Sequence, residues 1–504
     1  MRFPRASGVL LHPTSLPGPH GSGDLGAAAF HFVDWLVSAG QTLWQILPLG
    51  GIGPGDSPYM SSSAFAGNVL LIDLAELRKN GWLDAADLAP TPALRATRID
   101  FAAVVPFRME RLARAAARFA TDCTSVQRDE FAAFRATQAN WLDDYALFMA
   151  LAEAHDWRDW CDWGTGLARR EASALNAARE AHAERVQFWL FCQWSFFRQW
   201  AALKAHANAR GVDIVGDAPI FIAHHSAEVW AQQHLFELDD HGRPSVVAGV
   251  PPDFFSATGQ RWGNPLYRWS EHARDGYAWW VERVRRTFEL VDIVRIDHFR
   301  GFAAYWEIPA TEPTAIKGQW IPAPGEALFK AITRALGPMP IIAEDLGVIT
   351  PDVDALRKKF GFPGMRILQF AFAGDASDRF LPHHYEPDTV VYTGTHDNNT
   401  TAGWWAEATD HERHFARGYL ATDGHDIAWT MIRAACASVA DTAVYPMQDV
   451  LALPAECRMN FPGQESGWWG WRFQWNQLQP WHAQRLAELC RLYGRVGLST
   501  SAVT

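Results

Sequence analysis

The sequence predicts an α/β protein folded as a closed (β/α)8 barrel, a TIM barrel interrupted by one helical and one loop-rich insertion. Three observations predict it. Eight short apolar runs recur along the chain, each ending in a polar or charged residue and each followed by a loop or helical stretch. Four of these runs carry a carboxylate near the C-terminal end, where a parallel strand buried on both faces is otherwise Val, Ile and Leu. The spacing between runs is uneven, so the longest gaps hold inserted structure rather than single crossover helices.

The first two runs are Gly8–Pro13 and Thr42–Leu49. Between Leu49 and the third run, Asp213–Pro219, lie segments rich in Ala, Leu, Arg and Glu. Met109–Ala120 and Ala168–Ala207 among them repeat apolar residues at three- and four-residue steps. A mainly helical insertion therefore belongs at approximately 75–207. After the third run, Ile220–Ala278 is rich in Gly, Pro and aromatic residues with little periodicity, which predicts a loop-built rim and lid over one barrel face at approximately 220–278. The runs Asp292–Phe299, Pro340–Gly347, Met365–Phe372, Thr389–Asp397 and Thr442–Val450 complete the eight, and residues 1–504 read as one catalytic domain.

Composition narrows the function. Hydrophobic residues make up 48% and charged residues 20%, enough apolar surface for a large core and too much for disorder. The net charge of -11 is spread over mixed-sign segments, and no basic stripe offers itself to phosphates, which excludes nucleic acid as the expected partner. Six cysteines without a C-x-x-C pair fit neither a disulfide scaffold nor a zinc site, and no H-E-x-x-H pattern occurs, so no metal or cofactor is expected. Without an apolar leader region or a run of about 20 apolar residues, the chain reads as cytoplasmic and not membrane-bound. The 25 tryptophans read mostly as core, although indole faces also stack on sugars.

The four strand-end carboxylates are Asp217 in Ile214-Val215-Gly216-Asp217, Asp297 in Val294-Arg295-Ile296-Asp297-His298, Glu344 in Ile341-Ile342-Ala343-Glu344, and Asp397 in Thr395-His396-Asp397-Asn398. In barrel enzymes that end of the strands builds the active site. Arg295 and Asp297 are two residues apart and share a strand face, where the guanidinium favours the ionised aspartate, as a nucleophile requires. Retaining glycoside chemistry needs one carboxylate to attack the anomeric carbon and another about 5 Å away to protonate the leaving oxygen. Spacing alone does not say which acid takes which role. The bland alternative for each is a buried ion pair or a helix N-cap, and for His298 and His396 a satisfied core histidine.

At these residues the chain resembles the amylomaltases, glycoside hydrolase family 77 of the alpha-amylase superfamily. The likeness runs almost end to end, through Ser7-Gly8-Val9-Leu10-Leu11-His12-Pro13-Thr14-Ser15-Leu16-Pro17, Gly55-Asp56-Ser57-Pro58-Tyr59 and Gly249-Val250-Pro251-Pro252-Asp253-Phe254-Phe255. It continues through Gly259-Gln260-Arg261-Trp262-Gly263-Asn264-Pro265, Arg295-Ile296-Asp297-His298-Phe299-Arg300-Gly301, Ala343-Glu344-Asp345-Leu346-Gly347 and Thr395-His396-Asp397-Asn398. The resemblance implies a retaining 4-alpha-glucanotransferase acting on maltooligosaccharides and alpha-1,4-glucans, with glucose as an acceptor. It implies Asp297 as nucleophile, Glu344 as general acid/base and Asp397 as transition-state stabiliser. Arg295, His298 and His396 would contact the donor sugar; Ser57, Tyr59, Asp217 and Asn460 would line neighbouring subsites; Phe254, Phe255 and Trp262 would belong to a loop over the acceptor side. The rival expectations are an alpha-1,4-glucan hydrolase and a glucan-binding protein without turnover. The chain departs from the family pattern at Pro54 and Phe254, where relatives carry tyrosine, at Ala257, and across Gly463-Gln464-Glu465-Ser466-Gly467-Trp468-Trp469.

Overall fold

The structure, a computed structural model, describes residues 3–496 apart from Pro92, Arg95, residues 253–255 and Glu465. Among the described residues the strands are, in chain order, β1 (Ala6–Leu10), β2 (Leu43–Gln45), β3 (Asp213–Pro219), β4 (Val246–Val250), β5 (Gln260–Pro265), β6 (Ile293–Asp297), β7 (Ala304–Pro309), β8 (Gln319–Pro322), β9 (Ile341–Ala343), β10 (Gly364–Ile367), β11 (Thr389–Tyr392) and β12 (Thr442–Pro446). Eight of them pair in parallel in the order β10-β11-β12-β1-β2-β3-β6-β9. The Ala343 N–H donates to the Pro363 carbonyl at 2.9 Å, drawing the two outer strands together into a nearly closed barrel.

Each predicted run holds one barrel strand, as burial on both faces requires. All five residues of β1 and of β12 are buried. Strands β1 and β2 approach so closely that a Cβ on Gly8 would sit 2.4 Å from the Leu43 carbonyl oxygen, so only glycine fits there. Seven of the eight strands stop short of the predicted ends, because the chain turns into short helical turns such as Pro13–Ser15, Leu368–Phe372 and Met447–Val450 whose residues are still buried. Hydrophobicity reports burial there, not extension.

Between β2 and β3 the chain is mainly helical. Its axis is the helix Ala183–Ala209, about 40 Å long at 1.5 Å per residue. Seven consecutive residues, Leu190–Phe196, are buried, so this helix is apolar all round, as a central helix must be. Helices Phe101–Asp122 and Leu142–Ala154 pack on it. The predicted continuous helix Ala168–Ala207 is two helices, Ala172–Ala181 and Ala183–Ala209, broken at His182. Buried polar residues tie this bundle to the chain that follows β2: Gln193 accepts from the Gly67 N–H at 2.8 Å and returns Nε2 to the Gly67 carbonyl at 3.0 Å, and Gln199 pairs in the same way with Asp73. Glu228 does likewise, accepting from Ser63 Oγ at 2.6 Å and from the Ala64 N–H at 2.9 Å. The loop that carries Ser57 and Tyr59 is thus anchored just downstream.

The segment Ile220–Ala278 is not loop alone. It holds β4 and β5, which join β7 and β8 in an antiparallel sheet ordered β5-β4-β7-β8 over a small apolar cluster of Val247, Ile308 and Ala315. Its register shifts between Val247 and Gly249, which hides the two-residue alternation in the sequence. The sheet is assembled from chain on either side of β6, the strand of Asp297.

Candidate active site

Two of the four strand-end carboxylates, Asp217 and Asp297, meet on one arginine, and the other two, Glu344 and Asp397, are held by other partners. In the β3–β6 ladder Asp217 lies opposite Arg295, so both side chains leave the same face. Arg295 is buried and donates Nη1 to both oxygens of Asp217, at 2.8 and 2.7 Å, and Nη2 to Asp297 Oδ1 at 2.9 Å. Burial alone would lower the Arg295 pKa, but Asp217 and Asp297 outweigh it and hold the guanidinium charged. Burial also raises the Asp297 carboxyl above the usual aspartate range, and Arg295 is the strongest influence drawing it back.

Glu344 follows β9 directly. Its N–H donates to the Ile296 carbonyl at 3.1 Å and its own carbonyl accepts from the Phe299 N–H at 3.2 Å, which locks it beside the Asp297 segment. Neighbouring strands lie about 4.8 Å apart, so this register sets Glu344 beside the Asp297 segment. Glu344 Oε2 accepts from the His298 N–H at 2.8 Å and Oε1 from the Leu346 N–H at 2.9 Å. Burial pushes the Glu344 pKa up to about 7, Asp297 adding to it while Arg295 opposes.

His298 presents that N–H from a left-handed backbone, φ 54°, an arrangement that costs a non-glycine residue about 1 kcal/mol and that the site retains. Burial, then Arg300, lowers its ring pKa to about 3, so the imidazole is neutral. Its Nε2 is buried and has no hydrogen-bond partner among the described residues. Trp262, on β5, stands edge-on to this ring at 4.8 Å between centroids.

Asp397 lies in the turn after β11, its side chain 38% exposed, with that of Asp297 at 31%; both remain open to a ligand. Asn460 Nδ2 donates to Asp397 Oδ1 at 2.6 Å, and His396 Nε2 is 3.4 Å from the same oxygen. Tyr59 Oη donates its single proton to Asp217 Oδ2 at 2.7 Å, so at 2.9 Å His396 Nε2 must be the donor to Tyr59, which sets the histidine tautomer. Ser57 Oγ accepts from the Tyr59 N–H at 3.3 Å and steadies that turn. Replacing Tyr59 with phenylalanine should lower kcat/KM for maltotriose about ten- to hundredfold, since buried Asp217 and His396 each lose a partner worth about 1–3 kcal/mol. Steady-state kinetics would show it, and an unchanged kcat/KM would rule the relay unimportant.

Residues 11–478 match the family profile described as 4-alpha-glucanotransferase. The chain belongs to the 4-alpha-glucanotransferase family. The 4-alpha-glucanotransferase of Thermus thermophilus is 52% identical over 98% of this chain and 100% of its own, and that of Synechocystis 48% identical over 97% and 98%. The amylomaltase from Streptococcus agalactiae, solved in complex with acarbose, superposes with a TM-score of 0.95 at 38% identity, covering 97% of this chain and 99% of that one. This protein is accordingly a glucan-transferring enzyme, and the hydrolase expectation finds no support.

Every site residue expected of this 4-alpha-glucanotransferase lies in the cluster just described except Phe254 and Phe255, which fall outside the described residues. Sequence reasoning missed four further residues that pack around these. Trp469, at φ 64°, packs on Tyr59 and His396 with centroids 5.7 and 5.9 Å apart. Arg458 donates Nη2 to the Asp397 carbonyl and Nε to the Asn460 carbonyl, a fork legible only as a charge beside Asn460. His12 is buried and held neutral, its pKa lowered to about 3 by burial and then by His396. Asp449 is a fifth acid at the end of an apolar run, and the same criterion would have found it. It accepts from Thr393 Oγ1 at 2.5 Å and from the Thr401 N–H at 2.7 Å, which bridges the turn around Asp397.

Proposed function

We propose that Asp297 is the nucleophile, Glu344 the general acid and then base, and Asp397 the group that stabilises the charge developing on the donor sugar. The observation that carries this reading is the pairing of an Arg295-held Asp297 with a Glu344 whose pKa is pushed up to about 7 on the neighbouring strand. A carboxylate held by an arginine, beside an acid that keeps its proton towards neutrality, is what a double displacement needs.

In the first step Asp297 attacks the anomeric carbon, the glycosidic C–O bond breaks, and the Glu344 proton passes to the leaving 4-oxygen. A glycosyl ester on Asp297 and a shortened glucan with a free 4-hydroxyl result. In the second step ionised Glu344 takes the proton of an incoming 4-hydroxyl as its oxygen displaces Asp297. The neutral His298 ring, whose Nε2 has no partner among the described residues, is available to hydrogen-bond a sugar hydroxyl without taking the catalytic proton. Asp397 is oriented by Asn460 and Arg458 and keeps its other oxygen for the sugar. Trp262 over His298 covers the acceptor side, and a covered ester favours a stacked sugar over water.

Maltooligosaccharides and alpha-1,4-glucans are the donors on this reading, and glucose is the smallest acceptor. The acarbose bound by the Streptococcus agalactiae amylomaltase supports an oligosaccharide-sized cleft. One large core, with only the small cluster under the antiparallel sheet apart from it, supports reading the chain as one catalytic unit. Among the described residues no helix is long and apolar enough to cross a membrane. We place the reaction in the cytoplasm, a setting supported by six free thiols. Incubation with maltotriose and labelled glucose is the test: label should appear in maltose and in a ladder of longer chains. Label confined to glucose would overturn glucose as acceptor.

A further inference from the structure

Arg300 stands three residues beyond Asp297, in the short turn Phe299–Phe302, and is 8% exposed. Its Nη1 donates to the Val348 carbonyl, and its guanidinium lies over the Trp320 indole with 3.8 Å to the ring centroid. Val348 belongs to the turn after Glu344, and in that turn Leu346 supplies the N–H received by Glu344 Oε1. The turn is held at its start, where buried Asp345 accepts from the Met365 N–H at 2.6 Å, and is loosely held at its tip. Val348 is 70% exposed, Gly347 is left-handed at φ 78°, and Arg379 adds only long contacts of 3.4 Å to the carbonyls of Asp345 and Gly347.

Trp320 belongs to β8 and packs edge-on against Trp306 of β7 at 5.2 Å. The opposite edge of the same sheet is β5, which carries Trp262 over His298. Arg300 therefore joins the antiparallel sheet to the turn that feeds a hydrogen bond to Glu344.

We infer that Arg300 is a positioning residue for Glu344, pinning the 345–349 turn against Trp320 so that the Leu346 N–H stays on the carboxylate. This rests on Glu344 being the acid/base. The charged groups facing Glu344 are Arg295 and Asp297 of β6. Arg300 is faced by the neutral ring of His298 and by charged Asp352, and neighbouring Asp345 is faced by Arg357, Arg366 and Arg379. An arginine is suited because its planar fork donates along one edge while its face stacks on an indole; lysine keeps the charge but has no planar group to do both at once.

A loosened turn weakens the hydrogen bond to the ionised form of Glu344, so the pH at which Glu344 gives up its proton rises. Arg300→Lys should lower kcat for maltotriose about tenfold, leave KM within about twofold, and move the alkaline limb of the pH profile up by about half a pH unit. Trp320→Ala should move the limb the same way by less, and Trp320→Phe, which keeps an aromatic face, should return it towards the parent position. Trp320 is 37% exposed, so its variants fold even if Arg300→Lys does not. A folded Arg300→Lys or, failing that, Trp320→Ala with the limb unmoved overturns the inference, because a merely structural residue changes the amount of active enzyme and not its pH profile. Glu344→Gln separates the two failures: full activity there would remove the acid/base reading itself.

Discussion

Replacing Asp297 with asparagine should lower kcat for maltotriose disproportionation by about 10^4-fold or more, while the affinity for maltooligosaccharides stays within a few-fold. The carboxamide is nearly isosteric and leaves Arg295 bound by both oxygens of Asp217, so the buried guanidinium keeps its main counter-charge. What is lost is the nucleophile alone. On the proposed reading binding energy comes from Tyr59, His298, His396 and the aromatic surfaces around them, none of which the substitution removes. Calorimetric titration beside steady-state kinetics separates the two effects. Activity within about tenfold of the parent would remove Asp297 from the nucleophile's role.

The positions of these acids were legible because a parallel strand covered on both faces leaves no cheap place for a charge, so Asp217, Asp297, Glu344 and Asp397 stand out against Val, Ile and Ala. The same signal marks Asp449, which the structure turns to bracing Thr393 and Thr401. A charge at a strand end thus says that it is satisfied by something, and only the register says by what. The cross-strand pairing of Asp217 with Arg295 and the locking of Glu344 beside Ile296 and Phe299 are long-range facts that no local pattern encodes.

Other features escaped for related reasons. The left-handed backbone of His298 accompanies its hydrogen bond to Glu344, a residue 46 positions away, which no local pattern in the sequence specifies. Strands β4 and β5 lie in a Gly- and Pro-rich stretch, and β4 takes its second partner from β7, beyond the barrel strand β6. The break at His182 interrupts Ala181-His182-Ala183, where intrinsic propensity favours continuity and tertiary packing decides otherwise.

Glu344→Gln tests the other half of the mechanism, and its effect should reach about 10^2- to 10^4-fold in kcat, the range that proton transfer by a placed side chain supplies. With the parent enzyme, kcat/KM should fall as pH rises through about 7, because the group pushed up to that value must be protonated to assist the leaving oxygen. The sign follows from the cause: burial disfavours the carboxylate, so the acid form persists towards neutrality and is lost above it. Glutamine neither gives nor takes a proton, so the variant should lose this limb as well as its rate. A donor with fluoride at the anomeric carbon departs without protonation and should restore the first step only. The glycosyl ester on Asp297 should then accumulate, visible by mass spectrometry on the peptide that contains it. A residual activity that still falls away near pH 7 would assign that titration, and the acid's role, to another group.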